Sequence, residues 1–222
     1  MLTLLAFGDS HLEALKYASD LGLLIAEESH FCIVPGATAV GLRNPNSKTN
    51  ALAIFLAFAR KHQTSSRVLV HLGEVDCGFV VWWRQQKYGD SVAIQIEESL
   101  SSYKKFILDL KECGFDKICI TGTSLPTIRD GIDFGAVANL RREVQVSLLD
   151  RTRLTIQYNA ALFEMAADVG CSFFDISKAV LNPQHGIVSD YFRNPNPQDH
   201  HLDKEKVVGI WADACNNFLQ NG

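Results

Sequence analysis

Short apolar runs alternate with longer segments along this chain, and the longer segments carry apolar residues at helical spacing. Short apolar runs bounded by glycine, proline or polar residues are typical of buried strands. The predicted strands are 2–7, 31–34, 67–72, 117–121 and 171–175. The predicted helices are 11–21, 49–59, 91–113, 154–169 and 203–219. This alternation favours an α/β fold in which a five-stranded parallel sheet lies between two layers of helices.

Turns with glycine or polar residues follow the predicted strands. Residues 8–11 (Gly-Asp-Ser-His), 35–36 (Pro-Gly) and 73–76 (Gly-Glu-Val-Asp) follow the first three, and a predicted loop, 122–135, follows the fourth. A long polar loop, 182–201, ends in two histidines. In a parallel sheet the carboxyl ends of the strands share one edge, and ligands bind beyond it. We therefore expect a functional site at this edge.

Ser10 lies where the first predicted strand turns into the first predicted helix. A serine there is raised above the edge of the sheet, and the free N–H groups and positive dipole end of the helix favour an oxyanion beside it. These properties suit a nucleophile. The alternative is structural, because Asp9 or Ser10 before an apolar periodic stretch is also a common helix N-cap.

Composition and charge narrow the classes of function. The 222 residues contain no Pro/Gly/Ser-rich linker and no charge block, so we expect one domain spanning 1–222. Apolar residues at 47% and charged residues at 21% are typical of a globular protein that needs no disulfide or metal to fold. The formal net charge of −4, with acids and bases mixed, disfavours nucleic acid and anionic membranes as partners.

The cysteines and the N-terminus bear on the cellular compartment. The six cysteines are scattered without CxxC or zinc-finger spacing, which predicts buried free thiols. The first apolar run is interrupted by Gly8 and Asp9 and lacks a basic leader, which argues against a signal peptide or a membrane span. We therefore expect a cytoplasmic protein with no cofactor and no catalytic metal.

The order of the strand-end motifs resembles that of the SGNH/GDSL hydrolase superfamily, which comprises esterases and acyl-transfer proteins on a flavodoxin-like sheet. Residues 7–11 are similar to its first block, in the GDSH form found in SGNH domains that acylate or deacylate polysaccharides. Gly36 matches the glycine of the second block. The third block, Gly-x-Asn-Asp, falls on 73–76, and the last, Asp-x-x-His followed by Leu, lies near 199–202. The resemblance covers nearly the whole chain and implies serine-dependent ester chemistry.

The resemblance implies a role for each residue of these blocks. Ser10 would attack an ester carbonyl and form an acyl-enzyme. His201 is the expected base because it lies directly before the leucine and the last helix, and His200 is the second choice. Asp199 would hold the histidine in its working tautomer. The backbone N–H groups of Ser10 and Gly36 would bind the oxyanion.

Further oxyanion or binding candidates lie in the same turns or close to them: Gly73, Glu74, Asp9, Asp76 and Arg84. Asp9 and Asp76 also have a structural interpretation, because an acid at a helix start or turn often braces the backbone. Glu74 is expected in the pocket, with a solvated loop charge as the alternative. His11 is expected to be an exposed first-turn residue, and His71 a hydrogen-bonded interior histidine.

Two departures from the family pattern bear on activity. Val75 stands where the family has the asparagine that completes the oxyanion hole, and valine has no donor to offer. Loss of such a donor costs roughly 2.7–4 kcal/mol of transition-state stabilisation. Arg43, Asn44 or Arg84 could replace it. The second departure is Asp199, which lies closer to the histidines than the pattern expects.

Two other classes of function compete with the esterase. Asp9 and His11 have the spacing of a ligand pair in two-metal phosphoesterases, although the further Gly-His-x-His motif of that class is missing. A binding protein that has lost catalysis is favoured by Val75 and the displaced Asp199, and opposed by Ser10 and the paired histidines. Since no long apolar lid is evident, we expect a small water-soluble or carbohydrate ester as substrate.

Overall fold

The chain folds into a five-stranded parallel sheet with helices on both faces. The structure is a computed structural model, and it describes residues 1–131 and 144–221. The strands are β1 (Thr3–Gly8), β2 (Glu28–Ile33), β3 (Arg67–His71), β4 (Ile118–Thr121) and β5 (Ser172–Phe174), in the spatial order β2-β1-β3-β4-β5. This is the flavodoxin-like order. The predicted three-layer α/β class and five-stranded parallel sheet are thus confirmed.

Helices cover the two faces because successive strand residues point to opposite sides of the sheet. In the described ranges they are α1 (Glu13–Asp20), α2 (Ala51–Ala59), α3 (Val81–Tyr88), α4 (Val92–Glu112), α5 (Leu148–Asp168), α6 (Ser177–Val180) and α7 (Lys204–Asn221). Leu5 and Phe7 of β1 belong to a hydrophobic cluster with α2, α4 and α5. Leu4 and Ala6 belong to a cluster with α1 and α7 on the opposite face.

Three differences between the observed and the predicted elements bear on how the sequence was interpreted. β2 begins at Glu28, earlier than predicted. The prediction missed its first half because these residues are mostly polar and partly exposed and give no apolar run. α5 begins at Leu148, also earlier, where the Ser147 hydroxyl accepts a hydrogen bond from the backbone N–H of Asp150. The predicted loop 182–201 contains part of a short hairpin, β6 (Leu181–Asn182) with β7 (Ile187–Val188). The last part of the predicted loop 122–135 lies outside the described residues.

The first three strands end at one edge of the sheet. Gly8, the last residue of β1, lies opposite Ile33 of β2 and His71 of β3. Beyond this level the backbone of β1 still contacts both neighbours, because Val34 N donates to Gly8 O at 2.9 Å and Asp9 N donates to His71 O at 3.3 Å. The turns that follow these strands therefore lie side by side.

The loop that leads to the two histidines is tied to its surroundings. Arg193 and Leu202 form an antiparallel bridge, and Asp203 N donates to Phe192 O at 2.9 Å. The hydroxyl of Thr127, in the loop after β4, donates to the carbonyl of His200. These contacts hold the histidines directly before α7.

All six cysteines are free thiols. Four are buried as predicted, whereas Cys113 and Cys171 are only half-buried. None of the helices in the part of the chain that the structure describes is long and apolar enough to cross a membrane.

Candidate active site

Ser10 lies at the turn from β1 into the first helical segment. It opens a 3-10 helix, Ser10–Leu12, that leads directly into α1. Asp9 is the N-cap of this helix, and its carboxylate accepts a hydrogen bond from His11 N at 2.9 Å. Asp9 is fully buried, so its side chain holds the turn that presents Ser10. These contacts fit the structural role considered for Asp9, that of an acid that braces the start of a helix.

Ser10, His201 and Asp199 form a continuous hydrogen-bonded chain. The Oγ of Ser10 lies 2.9 Å from Nε2 of His201. On the other side of the ring, Nδ1 of His201 lies 2.6 Å from Oδ1 of Asp199. The structure thus brings together the three residues expected to be nucleophile, base and orienting carboxylate, across a sequence separation of 191 residues.

The short spacing between Asp199 and His201 is accommodated by a local turn. Oδ1 of Asp199 accepts from the backbone N–H of His201 at 2.9 Å while it also contacts the ring nitrogen. Its other oxygen, Oδ2, accepts from the side-chain amide of Asn194 at 2.9 Å. The carboxylate is therefore held from two sides, and the departure from the usual spacing does not separate it from the histidine.

The charges in this chain suit proton transfer from Ser10. Burial, reinforced by the nearby His11, lowers the pKa of His201, so its ring stays neutral and able to accept a proton. Partial burial opposes ionisation of Asp199, but the hydrogen bonds from His201 hold the pKa of this carboxyl below its usual range. The site thus combines a neutral imidazole with an ionised carboxylate.

His200 occupies a different place from His201. Its ring packs against that of His201 with centroids 4.1 Å apart. The hydroxyl of Ser10 is hydrogen-bonded to the ring of His201, the histidine that the sequence favoured as base. His200 also borders a cavity of about 560 Å³, whose lining includes Arg129, Arg193 and Lys206 but not Ser10.

His11 and Glu74 are buried close to His201. His11 is only 6% exposed, so the expectation of an exposed first-turn residue is wrong. Its Nδ1 lies 3.3 Å from Asp9 Oδ1, its Nε2 lies 4.0 Å from Glu74 Oε2, and its ring centroid is 4.6 Å from that of His201. Glu74 is buried as well, so the solvated alternative for this residue does not hold. The helical turn from Asp9 rotates the His11 ring inward, which the sequence pattern did not reveal.

The carboxylate of Asp76 mainly binds backbone N–H groups of the segment after β2. Its carboxylate accepts hydrogen bonds from Ala39 N at 2.8 Å, Val40 N at 3.0 Å and the Ser99 hydroxyl at 2.9 Å. Burial raises the pKa of Asp76 to about 6 against these hydrogen bonds. These three contacts match the bracing role and provide no support for a substrate-binding role. Gly73, at φ +120°, makes the adjacent turn, where a Cβ would lie 2.7 Å from the Tyr158 ring.

Gly36 and Arg84 lie along a wider groove of about 1370 Å³. Gly36 has φ +72° in a Pro-Gly turn closed by a hydrogen bond from Ala37 N to Val34 O at 3.0 Å, which is typical of a type II turn. Arg84 forms an ion pair with Asp90 at 2.7 Å. The lining of the cavity of about 470 Å³ that Ser10 borders includes neither Gly36 nor Arg84, so the oxyanion roles expected of these two residues stay predictions.

The residues that support the site differ in how clearly the sequence pointed to them. Asn194 gave only the weak signal of a polar residue in a Pro/Asn-rich loop. His71 is the interior histidine that was expected, with Nδ1 2.7 Å from the Thr121 hydroxyl and Nε2 3.2 Å from that of Ser124. Burial lowers its pKa to about 4. Asn159 of α5 clamps the loop after β4 through both the N–H and the C=O of Thr123.

Solved structures with a similar fold include lipases and acylhydrolases, some of them described as GDSL-like. A GDSL-like lipase from Bacteroides thetaiotaomicron has a TM-score of 0.61 at 11% identity, with 98% of this chain and 88% of that chain covered. A lipase/acylhydrolase from Enterococcus faecalis has 0.56 at 12% identity, covering 98% and 96%. An extracellular lipase from Streptomyces rimosus has 0.55 at 15%, covering 98% and 99%.

The sequence itself gives no such match, since no protein-family model fits it and no curated protein is found as a relative. The chain thus has the fold of the GDSL-like lipases and acylhydrolases. At this fold level the resemblance to SGNH/GDSL hydrolases is confirmed.

Proposed function

We propose that this protein is a serine-dependent ester hydrolase or acyl-transfer enzyme that forms an acyl-enzyme on Ser10. One observation carries the proposal, the hydrogen-bonded chain from Ser10 through His201 to Asp199. A nucleophile, a base within hydrogen-bond reach and a group that orients the base are the signature of covalent acyl catalysis. The shared fold with GDSL-like lipases and acylhydrolases supports the same chemistry.

In this mechanism His201 Nε2 accepts the hydroxyl proton of Ser10 as Oγ attacks the ester carbonyl. Asp199 stabilises the imidazolium that forms, and Asn194 keeps the carboxylate in place. His201 then returns the proton to the leaving alcohol. Water or an acceptor hydroxyl attacks the acyl-enzyme next, with His201 again as base, so hydrolysis and transfer differ only in the second nucleophile.

The oxyanion hole is the weakest part of the site. The backbone N–H groups of Ser10 and Gly36 are the proposed donors, and Gly36 follows the strand next to β1. Val75 is half-buried and has no donor. We therefore expect slow turnover of simple esters, slower by roughly 10²–10³ than with a complete hole.

The proposed substrate is a small or carbohydrate ester rather than a long-chain lipid. The cavity beside Ser10 measures about 470 Å³ and is bordered by polar residues such as Glu13, Asn194 and Lys204. Such a lining suits a hydrated, hydroxyl-rich molecule better than an acyl chain of lipid length. We also propose a reducing, cytoplasmic location, which the six free thiols favour.

The test compares wild type, Ser10→Ala and a control serine variant, Ser65→Ala, whose side chain is exposed in the loop before β3. We expect wild type and Ser65→Ala to hydrolyse p-nitrophenyl acetate and acetylated sugars faster than a long-chain p-nitrophenyl ester. Ser10→Ala should fall to the background rate with an unchanged circular dichroism spectrum. A fluorophosphonate probe should add to Ser10, as located by peptide mass spectrometry.

Equal rates in wild type and Ser10→Ala would refute the proposed nucleophile. Loss of activity on chelation would instead revive the metal-dependent phosphoesterase. Absence of turnover on every ester, together with no labelling of Ser10, would favour a binding protein on this fold.

A further inference from the structure

Three histidine rings converge beside Ser10. His11, His200 and His201 each present a ring nitrogen, and the three nitrogens lie within 4.8 Å of one another. Imidazole nitrogen is a common ligand of Zn²⁺ and of other divalent transition metals. We propose that this histidine cluster binds one divalent transition metal ion, with Zn²⁺ as the best fit, and that the bound ion inhibits the hydrolase.

The carboxylates around the cluster set two of the rings for coordination. Nδ1 of His201 contacts Asp199 at 2.6 Å, and Nδ1 of His11 contacts Asp9 at 3.3 Å. A hydrogen on each Nδ1 leaves the lone pair on Nε2. Metal-binding histidines in proteins are oriented by carboxylates in this way, with one ring nitrogen on the carboxylate and the other on the metal. Neither ring has to lose a proton to bind the ion.

Local charge favours a cation at this position. Glu74 Oε2 lies 4.0 Å from Nε2 of His11, and Glu74, like Asp9, is buried. With Asp199, these acids place three carboxyl groups around the three imidazoles. A divalent ion among them offsets their mutual repulsion in a site of low dielectric, where such attraction is strong.

The cluster needs only a small rearrangement to close around an ion. Nitrogens bound to Zn²⁺ at 2.0–2.1 Å lie about 3.4 Å apart in a tetrahedron, so the nitrogens must approach by roughly 1 Å. His200 can supply this movement, because its ring is half-buried whereas its carbonyl is held by the Thr127 hydroxyl. A water molecule can complete the tetrahedron.

Inhibition follows from the identity of one nitrogen, and this half of the proposal rests on the proposed function. Nε2 of His201 is the atom that contacts Ser10 Oγ at 2.9 Å and would accept its proton. This nitrogen has a single lone pair, so it cannot bind the metal ion and accept the proton of Ser10 at the same time. Metal binding and activation of Ser10 are therefore mutually exclusive.

Calorimetric titration of the metal-free protein with Zn²⁺ tests the site without reference to activity. We expect one ion per chain for wild type and also for Ser10→Ala. His200→Gln should weaken binding by about 100-fold or more, since even loss of an outer partner of a metal ligand costs 10–100-fold. His62→Gln is the matched control, because its ring pairs with His30 at 4.6 Å in another part of the chain. Circular dichroism checks that His200→Gln is folded.

The inhibitory role is tested on wild type with p-nitrophenyl acetate. Stoichiometric Zn²⁺ should abolish most of the activity, and EDTA should restore it. Absence of one-to-one binding, or equal affinity in His200→Gln, would overturn the metal site, and binding without loss of activity would overturn the inhibitory role. If the metal-free enzyme hydrolyses no ester, the proposed function fails and the inhibitory role with it, whereas the calorimetry still decides the site.

Discussion

Asp199 reaches the ring of His201 across a single intervening residue. It does so because one carboxylate oxygen accepts from both the backbone N–H and the Nδ1 of His201, at 2.9 and 2.6 Å. The Asp-x-x-His spacing of the family pattern is therefore not needed to orient this histidine. The ring of the neighbouring His200 packs against that of His201, with centroids 4.1 Å apart.

Asp199→Asn tests whether this carboxylate stabilises the imidazolium. An amide can accept a hydrogen bond but carries no negative charge, so we expect kcat for ester hydrolysis to fall by roughly 10³–10⁴ with little change in stability. Steady-state kinetics on p-nitrophenyl acetate measure the effect. Asp213→Asn, at an exposed position of α7, should behave as wild type. Wild-type turnover by Asp199→Asn would exclude Asp199 from the catalytic chain.

His71 links the end of β3 to two hydroxyl groups and stays neutral when folded. Its folded pKa of about 4 lies below the value of 6.5 expected for the unfolded chain. The unfolded state therefore takes up the proton first, and stability is lost as pH falls from about 6.5 to 4. The pKa difference corresponds to about 3 kcal/mol of unfolding free energy lost by pH 4.

Urea unfolding at pH 7 and pH 4 checks this contribution. His71→Gln has no titrating group, so its unfolding free energy should fall less over this interval than that of wild type, by about 3 kcal/mol. His185→Gln, at an exposed histidine, should keep the wild-type pH dependence. An identical pH dependence in wild type and His71→Gln would show that His71 does not carry the acid sensitivity.

At the scale of elements, the approach of β1 to β3 depends on Gly8. A Cβ at this residue would lie 2.5 Å from the backbone oxygen of His71, so a side chain there would push the two strands apart. Ser10 follows two residues later. The glycine of the first block thus serves the packing of β1 against β3.

Gly8→Ala should lower the free energy of unfolding by about 1–3 kcal/mol and reduce activity by displacing Ser10. Gly209→Ala is a matched control, because its Cβ meets open space on α7 and alanine is the better helix former. The control should gain about 0.5–1 kcal/mol. Urea unfolding of both variants measures the difference, and a Gly8→Ala protein as stable as wild type would contradict the close approach.

At the scale of the whole molecule, the two hydrophobic clusters share the same strands. Leu69 of β3 belongs to the cluster with α1 and α7, whereas its neighbours Val68 and Val70 belong to the cluster with α2, α4 and α5. If these strands unfold, both clusters lose the residues that the sheet contributes to them. That the chain forms a single domain, 1–222, stays a prediction, which unfolding experiments can test.

We therefore expect one cooperative unfolding transition. Far-UV circular dichroism reports the whole fold, and Trp211 fluorescence, isolated in a protein with Trp82→Phe and Trp83→Phe, reports one face of the sheet. The two urea curves should coincide. Separate midpoints would show that the clusters unfold independently and would contradict the single domain.

The sequence alone was sufficient for the strands, most helices and the edge that carries the site, because these depend on local periodicity and on glycine turns at strand ends. It also singled out Ser10, His201 and Asp199 through their motifs. The motif favoured His201 over His200 as base. It gave no information about which of the two rings points toward Ser10, so the choice stayed open.

Tertiary structure decided which atoms meet. The burial of His11 against Glu74 and the use of Asp76 to hold the backbone after β2 join residues from different elements. The support of Asp199 by Asn194 depends on the path of a single loop. Such contacts depend on strand order and loop paths. Periodicity specifies how a segment folds, whereas the packing of segments specifies which side chains share a cavity.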